Sequence, residues 1–349
     1  MVGTNPAEFW SKADELCKSE KMDPNLTFNI AGIELKDRYV QAPLAGFSTI
    51  TMRNFAHRYG AGLSYTEMIS ANALFYGSQD TFEMLHDTQR DEGPLALQLF
   101  GYEIDHIEKA IEIVEKEAKY TFLDFNLGCP VPKVMKQKAG SHLLTDLPYL
   151  YKLMSAIVKK SNHPVVAKTR LGFSNPEDIT KIVKVLEDAG VKAIAIHGRT
   201  RSQFYTGHAD YNYIAKAKSI ANVPIIANGD IDEKNAKDVF DLTKADALMI
   251  GRAAIGNPLI FKDLVDLEEG NPLTIRTYKD NLEILKEYID YSYGFERDAH
   301  KVSLALRTIA PAFLTGLPSI KKVRTLMVHC NSKEEYIELI DKALNGEIE

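Results

Sequence analysis

The chain has 349 residues, 45% of them hydrophobic and 26% charged, with a net charge of −6 at neutral pH. That balance fits a folded globular protein with a large core, and it excludes a surface that attracts polyanions everywhere while leaving room for a local basic face. Three cysteines, Cys17, Cys129 and Cys330, stand far apart, outside any Cys/His cluster, so neither a disulfide framework nor a metal site is expected. Residues 1–25 read as an N-terminal extension, in which Pro6–Lys18 has the spacing of one amphipathic helix and carries no recognisable chemistry. The extension lacks the apolar core of a signal peptide, and no later window approaches the roughly 20 apolar residues of a membrane span. A cytoplasmic protein without a membrane anchor is expected.

From residue 39 onward one pattern repeats: a short apolar run, a polar or glycine-bearing break, then a helix-length segment. The runs are Tyr39–Leu44, Leu63–Met68, Leu95–Phe100, Phe122–Leu127, Val165–Thr169, Ala193–His197, Val223–Ala227 and Ala247–Ile250. Most are continuous rather than alternating, as parallel strands covered on both faces should be. Between them lie helical spacings such as Ile104, Ile107, Ala110, Ile111, Val114, and a segment from Ile179 opened by Asn175-Pro176 as N-cap and first-turn proline. Eight such units predict an α/β fold, a (β/α)₈ TIM barrel. The competing doubly wound sheet usually carries G-x-G-x-x-G or a P-loop, and neither occurs. After Arg252 the strand-like runs stop, and Tyr278–Tyr291, His300–Phe313 and Ser332–Leu344 read as helices. The expected organisation is an extension over 1–25, a barrel over 26–261 and a small all-α unit over 262–349.

Polar or glycine chemistry closes every run: Pro43-Leu44-Ala45-Gly46, Glu67, Gln98, Asn126 to Cys129, Lys168 with Arg170, His197-Gly198-Arg199, Asn228-Gly229-Asp230 and Gly251-Arg252. Each alone has an ordinary structural explanation. In a barrel all eight ends ring one mouth, where active sites sit. The last two loops suit a phosphate, since glycine admits close backbone approach and a guanidinium adds charged donors. A ligand held there would present its reactive part over Gln98, Asn126 and Lys168. Cys129 follows a strand on a Gly-Cys-Pro loop flanked by Lys133, Lys136 and Lys138, a setting expected to favour thiolate.

Taken together, Ala42-Pro43-Leu44-Ala45-Gly46, Asn126-Leu127-Gly128-Cys129-Pro130, Ala139-Gly140-Ser141, His197-Gly198-Arg199-Thr200-Arg201 and Ile250-Gly251-Arg252 resemble the tRNA-dihydrouridine synthases. The resemblance implies an FMN-dependent barrel that reduces specific uridines of tRNA to dihydrouridine, with NADPH as reductant. By position it puts Pro43, Leu44 and Ala45 under the flavin, and Gln98 and Lys168 on its ring. Asn126 would line the pocket and His197 lie against the cofactor, with Asn228, Gly229, Asp230, Gly251 and Arg252 at its phosphate. Cys129 becomes the proton donor to C5 of the uracil. Leu44 and His142 depart from the family pattern.

The resemblance also makes tRNA the partner of a monomeric chain, with Arg199 and Arg201 of the sixth loop as RNA contacts. From Ala299 to Lys333 there is no Asp or Glu, yet Lys301, Arg307, Lys321, Lys322, Arg324 and Lys333 occur. This island, with Lys321, Lys322 and Arg324 as its named RNA contacts, is expected to form one continuous track for the RNA backbone together with Lys133, Lys136 and Lys138 at the mouth. Two other functions compete. A dihydroorotate- or dihydropyrimidine-dehydrogenase-like FMN barrel would share the cysteine loop, and a redox-inactive RNA-binding barrel would share the basic face.

Overall fold

In the computed structural model, which describes residues 28–295 and 298–348, the chain enters through an antiparallel hairpin, β1 (Phe28–Ile30) and β2 (Ile33–Leu35). Its turn needs two residues at positive φ, Ala31 and Gly32, and Asn29 Oδ1 accepts the Gly32 N–H at 2.8 Å. The extension over 1–25, its expected helix and Cys17 lie outside the described residues. Three-residue strands carry too little periodicity to be read from sequence, and the hairpin is an addition to the expected elements.

Nine parallel strands follow: β3 (Tyr39–Gln41), β4 (Ser64–Tyr65), β5 (Ile69–Ser70), β6 (Leu95–Phe100), β7 (Phe122–Leu127), β8 (Val165–Arg170), β9 (Ile194–His197), β10 (Ile225–Asn228) and β11 (Ala247–Ile250). They are ordered β3-β11-β10-β9-β8-β7-β6-β4, with β5 also on β6. A parallel bridge between Val40 and Leu63 joins the two ends, with the Gln41 N–H donating to Leu63 O at 2.9 Å. Eight staves thus close the barrel, each where an apolar run was expected. The first stave stops early because Pro43 has no N–H to give. The second splits because the Thr66 hydroxyl, rather than a ladder carbonyl, takes the Gln98 N–H at 3.0 Å.

Period-two alternation sorts the strand side chains into two cores. Outward residues such as Leu123, Phe125 and Leu127 pack with the helices, including Ile107, Ala110, Ile111 and Val114 of the helix Ile104–Glu117. Inward residues such as Phe122, Val166, Ala195, Ile226 and Met249 fill the lower barrel, and Phe28, Ile30 and Leu35 of the hairpin pack with them. Burying a leucine or isoleucine fully contributes roughly 1.5–3 kcal/mol, so this lower layer is a stable floor. Asn175 Oδ1 accepts the Glu177 N–H at 3.2 Å and so caps a 3₁₀ turn, Pro176–Asp178, that leads into the helix Ile179–Asp188.

The helix Ile260–Glu268 straddles the expected boundary at 261/262. Its Ile260, Phe261 and Leu264 belong to the helix-facing barrel core, and Tyr39 donates to Glu268 at 3.0 Å. A separate core gathers from Leu282 to Ile348, on the helices Tyr278–Phe295, Ala299–Ile309, Ile320–Met327 and Lys333–Leu344. Phe55 of the barrel helix Ile50–Arg58 is buried in that second core, with its ring 5.1 Å from Tyr288 and 5.5 Å from Tyr291. Asn54 donates to the Tyr291 hydroxyl at 2.8 Å and Ser292 to Thr51 at 3.1 Å. The helical unit is therefore docked on the barrel beside the first loop of the mouth.

Candidate active site

The upper half of the barrel interior is polar. In-register pairing places Gln98 beside Asp124, Asn126 beside Lys168, Arg170 beside His197, and His197 beside Asn228. These side chains crown the apolar floor and open into a cavity of about 600 Å³ at the C-terminal mouth. Pro43, Leu44, Ala45, Gln98, Asn126, Cys129, Lys168, His197, Asn228, Gly229, Asp230, Gly251 and Arg252 all line it. The hollow has the size of a cofactor site.

Asn126 organises the cysteine loop. Its Oδ1 accepts the N–H groups of Gly128 and Cys129 at 3.1 and 2.9 Å, and its Nδ2 donates to Gln98 Oε1 at 2.8 Å. Arg170 clamps the same loop from β8: Nε donates to Gly128 O at 2.8 Å, and Nη1 to Phe204 O at 2.7 Å. The Ala139-Gly140-Ser141 segment supports it from behind, where the Ser141 N–H donates to Cys129 O at 3.2 Å. Gly140 has φ +61°, and a Cβ there would come within 2.8 Å of Cys129 O, so only glycine fits.

Cys129 is half-buried on the cavity wall, and burial pushes its thiol up; a backbone hydrogen bond from Val131 and the charges of Arg170 and Lys168 pull it down by less. The expectation that Lys133, Lys136 and Lys138 favour thiolate is corrected here. Those lysines are exposed, and the cations that act on the sulfur come from β8. Desolvation wins, and the thiol keeps its proton. Lys168 is lowered to about 8, chiefly by burial and then by Arg170, with Asp124 and Cys129 opposing. The imidazole of His197 is held well below its ordinary range by burial, then by Lys168, Arg170, Arg199 and Arg252. It is neutral, and its Nδ1 is buried without a hydrogen-bond partner among the described residues.

Across the mouth, Gly229 (φ +114°) leaves the space beside His197 that a Cβ would fill, at 3.3 Å from Nε2. Asp230, next in the loop, also has positive φ, and its carboxylate joins Arg199 at 2.5 Å and Arg252 at 2.7 Å. Arg252 is 59% exposed at its side chain. The ring of Tyr205 lies between Arg170 and Arg252, 5.2 and 5.5 Å from their guanidinium carbons. Neither Tyr205 nor Asp124 stands out in the sequence. Tyr205 falls within a loop, well past the end of its strand, and Asp124 sits inside an apolar run.

The expected RNA contacts divide. Lys133, Lys136, Lys138, Lys321, Lys322 and Arg324 are exposed. Arg201 stacks on Phe173 and Phe204, 5.1 and 4.9 Å from the ring centres. Arg199 is 2% exposed, and its donors go to Asp230, Thr206 O and Gly207 O. Its expected surface role is corrected to an internal tie between the sixth and seventh loops. Among the described residues no helix is long and apolar enough to cross a membrane, and no cluster of three His, Cys, Asp or Glu could hold a metal.

A sequence model of the family described as "Dihydrouridine synthase (Dus)" matches residues 40–349. The "Probable tRNA-dihydrouridine synthase" of Aquifex aeolicus is 32% identical over 320 residues, 90% of this chain and 98% of that one. The "tRNA-dihydrouridine synthase B" of Pectobacterium carotovorum is 36% identical over 295 residues, covering 81% and 91%. Among solved structures, an old yellow enzyme homologue from Zymomonas mobilis aligns with a TM-score of 0.52 at 15% identity, over 73% of this chain and 95% of that chain. At that identity the structural likeness speaks to the fold alone.

Proposed function

The chain belongs to the dihydrouridine synthase (Dus) family, and from that premise we propose that it reduces the C5–C6 double bond of specific uridines in tRNA, with FMN bound in the mouth and NADPH as reductant. The observation that carries the reading is the convergence of an amide pair, a lysine, a neutral imidazole and a protonated thiol on one cavity. The residues fit FMN on their own chemistry. His197 Nδ1 is a buried polar atom with no partner among the described residues, Gly229 and Gly251 bring backbone without a side chain to the cavity wall, and Arg252 supplies charged donors at the rim. Bound there, FMN would supply the hydride that adds to C6 of the uracil.

The chain's residues do the rest. Gln98 and Asn126 orient the ring by hydrogen bonds, and the Lys168 ammonium, next to Asn126 in the barrel register, stabilises negative charge that gathers at the ring's pyrimidine edge. Gly229, Gly251 and Arg252 hold the phosphate. Cys129, carrying its proton, donates it to C5. A target base must leave its stack to reach the cavity, and the docked helical unit favours an RNA substrate over a free pyrimidine.

The test is purification of a yellow, FMN-containing protein that forms dihydrouridine in unmodified tRNA with NADPH and leaves free uracil and dihydroorotate unchanged. A colourless protein that cannot be loaded with FMN would refute the reading. A pH dependence follows from Lys168. Its useful form is protonated, so activity is expected to fall as pH rises through about 8. The decline above the midpoint should approach about tenfold per pH unit for a single essential group. Lys168→Arg, whose guanidinium keeps its charge, should move the fall to higher pH; an unshifted profile would assign the limb to another group.

A further inference from the structure

One charged residue beneath the cavity takes no part in the scheme above. Asp124 is fully buried, one layer under Asn126 on β7. Above it the hydrogen bonds all run in one sense. The N–H groups of Gly128 and Cys129 can only donate, and both donate to Asn126 Oδ1. Asn126 must therefore turn its NH₂ toward Gln98, where Nδ2 donates to Oε1. Gln98 in turn has only its NH₂ left for the floor, and Nε2 donates to Asp124 Oδ2 at 2.5 Å. Such a chain has to end on an acceptor. An ionised carboxylate can take no other part, whereas amides and hydroxyls offer both senses.

Asp124 Oδ1 is buried and makes no hydrogen bond among the described residues, so Oδ2 alone ties the carboxylate to the amides above it. We propose that Asp124 is a positioning residue, which acts as the terminal acceptor that fixes the sense of the Gln98 and Asn126 amides and, through them, the pose of the Cys129 loop. The assignment of a role in turnover rests on the oxidoreductase reading of the cavity; the coupling to the loop does not.

The groups that bear on Asp124 come from two other staves. Burial raises the acid to about 7, against the Gln98 hydrogen bond and then the Lys168 charge, which both favour the carboxylate; Tyr65 of β4 feels the charge of Asp124 in turn. Once protonated, Asp124 can donate as well as accept. Gln98 is then free to turn over, Asn126 with it, and the hold on the Cys129 N–H is released. The floor acid thereby links proton uptake to the geometry of a thiol three layers of hydrogen bonding away.

The experiment measures alkylation of Cys129 by iodoacetamide in the full chain, followed on the Cys129 peptide between pH 6 and 9. Asp124→Asn, Gln98→Leu and the double variant are compared with the parent. Asp124→Asn is expected to change the alkylation rate constant about threefold or more and to abolish an inflection near pH 7, with no further change when Gln98→Leu is already present. An equal change in both backgrounds would mean that Asp124 acts through space rather than through Gln98. No change in either would remove the role altogether. If Asp124→Asn does not fold, as judged by circular dichroism, Asp124→Ser is read by the same criteria. Alkylation needs neither uridine nor NADPH, so a chain that failed to make dihydrouridine would still give this result.

Discussion

Cys129→Ala is expected to lower dihydrouridine formation about 10²–10⁴-fold, the span that a positioned proton donor contributes. Bound FMN and the oxidation of NADPH by dioxygen should stay at parental levels, because neither needs a proton at C5. The thiol lines the cavity, its loop is held by Asn126, Arg170 and the Ser141 N–H, and desolvation keeps it protonated. Those are the properties of an acid rather than of a nucleophile. Cys129→Ser discriminates further: a hydroxyl fits the space but gives up its proton far less readily, so the variant should stay closer to alanine than to the parent. Rates are read as dihydrouridine per tRNA in single-turnover reactions with pre-reduced enzyme. A parental rate in Cys129→Ala would move the acid to another residue.

Much of this site is legible in sequence because the barrel converts order along the chain into position around a ring. Gln98, Lys168, His197, Asn228 and Gly251 each stand at the end of an apolar run, and closure of the sheet brings such ends together whatever lies between them. What escapes reading depends on environment. The lysines beside Cys129 in sequence point to solvent, while Arg170 of the next stave, 42 residues on from Gly128, reaches the cysteine loop. Arg199 looks like a surface cation until Asp230, held at positive φ in the next loop, draws it inside. Asp124 is hidden by its neighbours, since one acid within Phe122-Leu123-Asp124-Phe125 disturbs no hydrophobic pattern, and only the hydrogen-bond sense above it gives it meaning. The helical unit illustrates the same limit. Its helices follow from spacing, but the seat of Phe55 between Tyr288 and Tyr291 does not.

Reversing Lys321, Lys322 and Arg324 to glutamate is expected to weaken tRNA binding by roughly one to two orders of magnitude near 0.1 M salt, because phosphate neutralisation supplies most sequence-independent affinity. The fold narrows the basic island to these three. Lys301 is paired with Glu83 at 2.5 Å and Lys333 with Asp290 at 2.9 Å, while Arg307 donates to Asn331 at 2.6 Å. Lys321, Lys322 and Arg324 lie exposed on the helix Ile320–Met327 and form no ion pair among the described residues. That helix is tied, through the 3₁₀ turn Ala310–Leu314, toward the loop after β11. Arg324 reaches Pro311 O at 3.4 Å, and the loop after β11 runs against Ala312 so closely at Gly256 that no Cβ would fit. Lys133, Lys136 and Lys138 follow β7, which stands four staves from β11 in a ring of eight. An RNA strand touching both basic groups would have to span the mouth. The slope of log affinity against log salt should flatten by about 0.7–0.9 for each phosphate that is no longer neutralised, while FMN content and tRNA-independent NADPH oxidation stay unchanged. A triple variant with parental tRNA affinity and an unaltered salt slope would show that this helix carries solvent-facing charge only, and that the RNA approaches the mouth from another side.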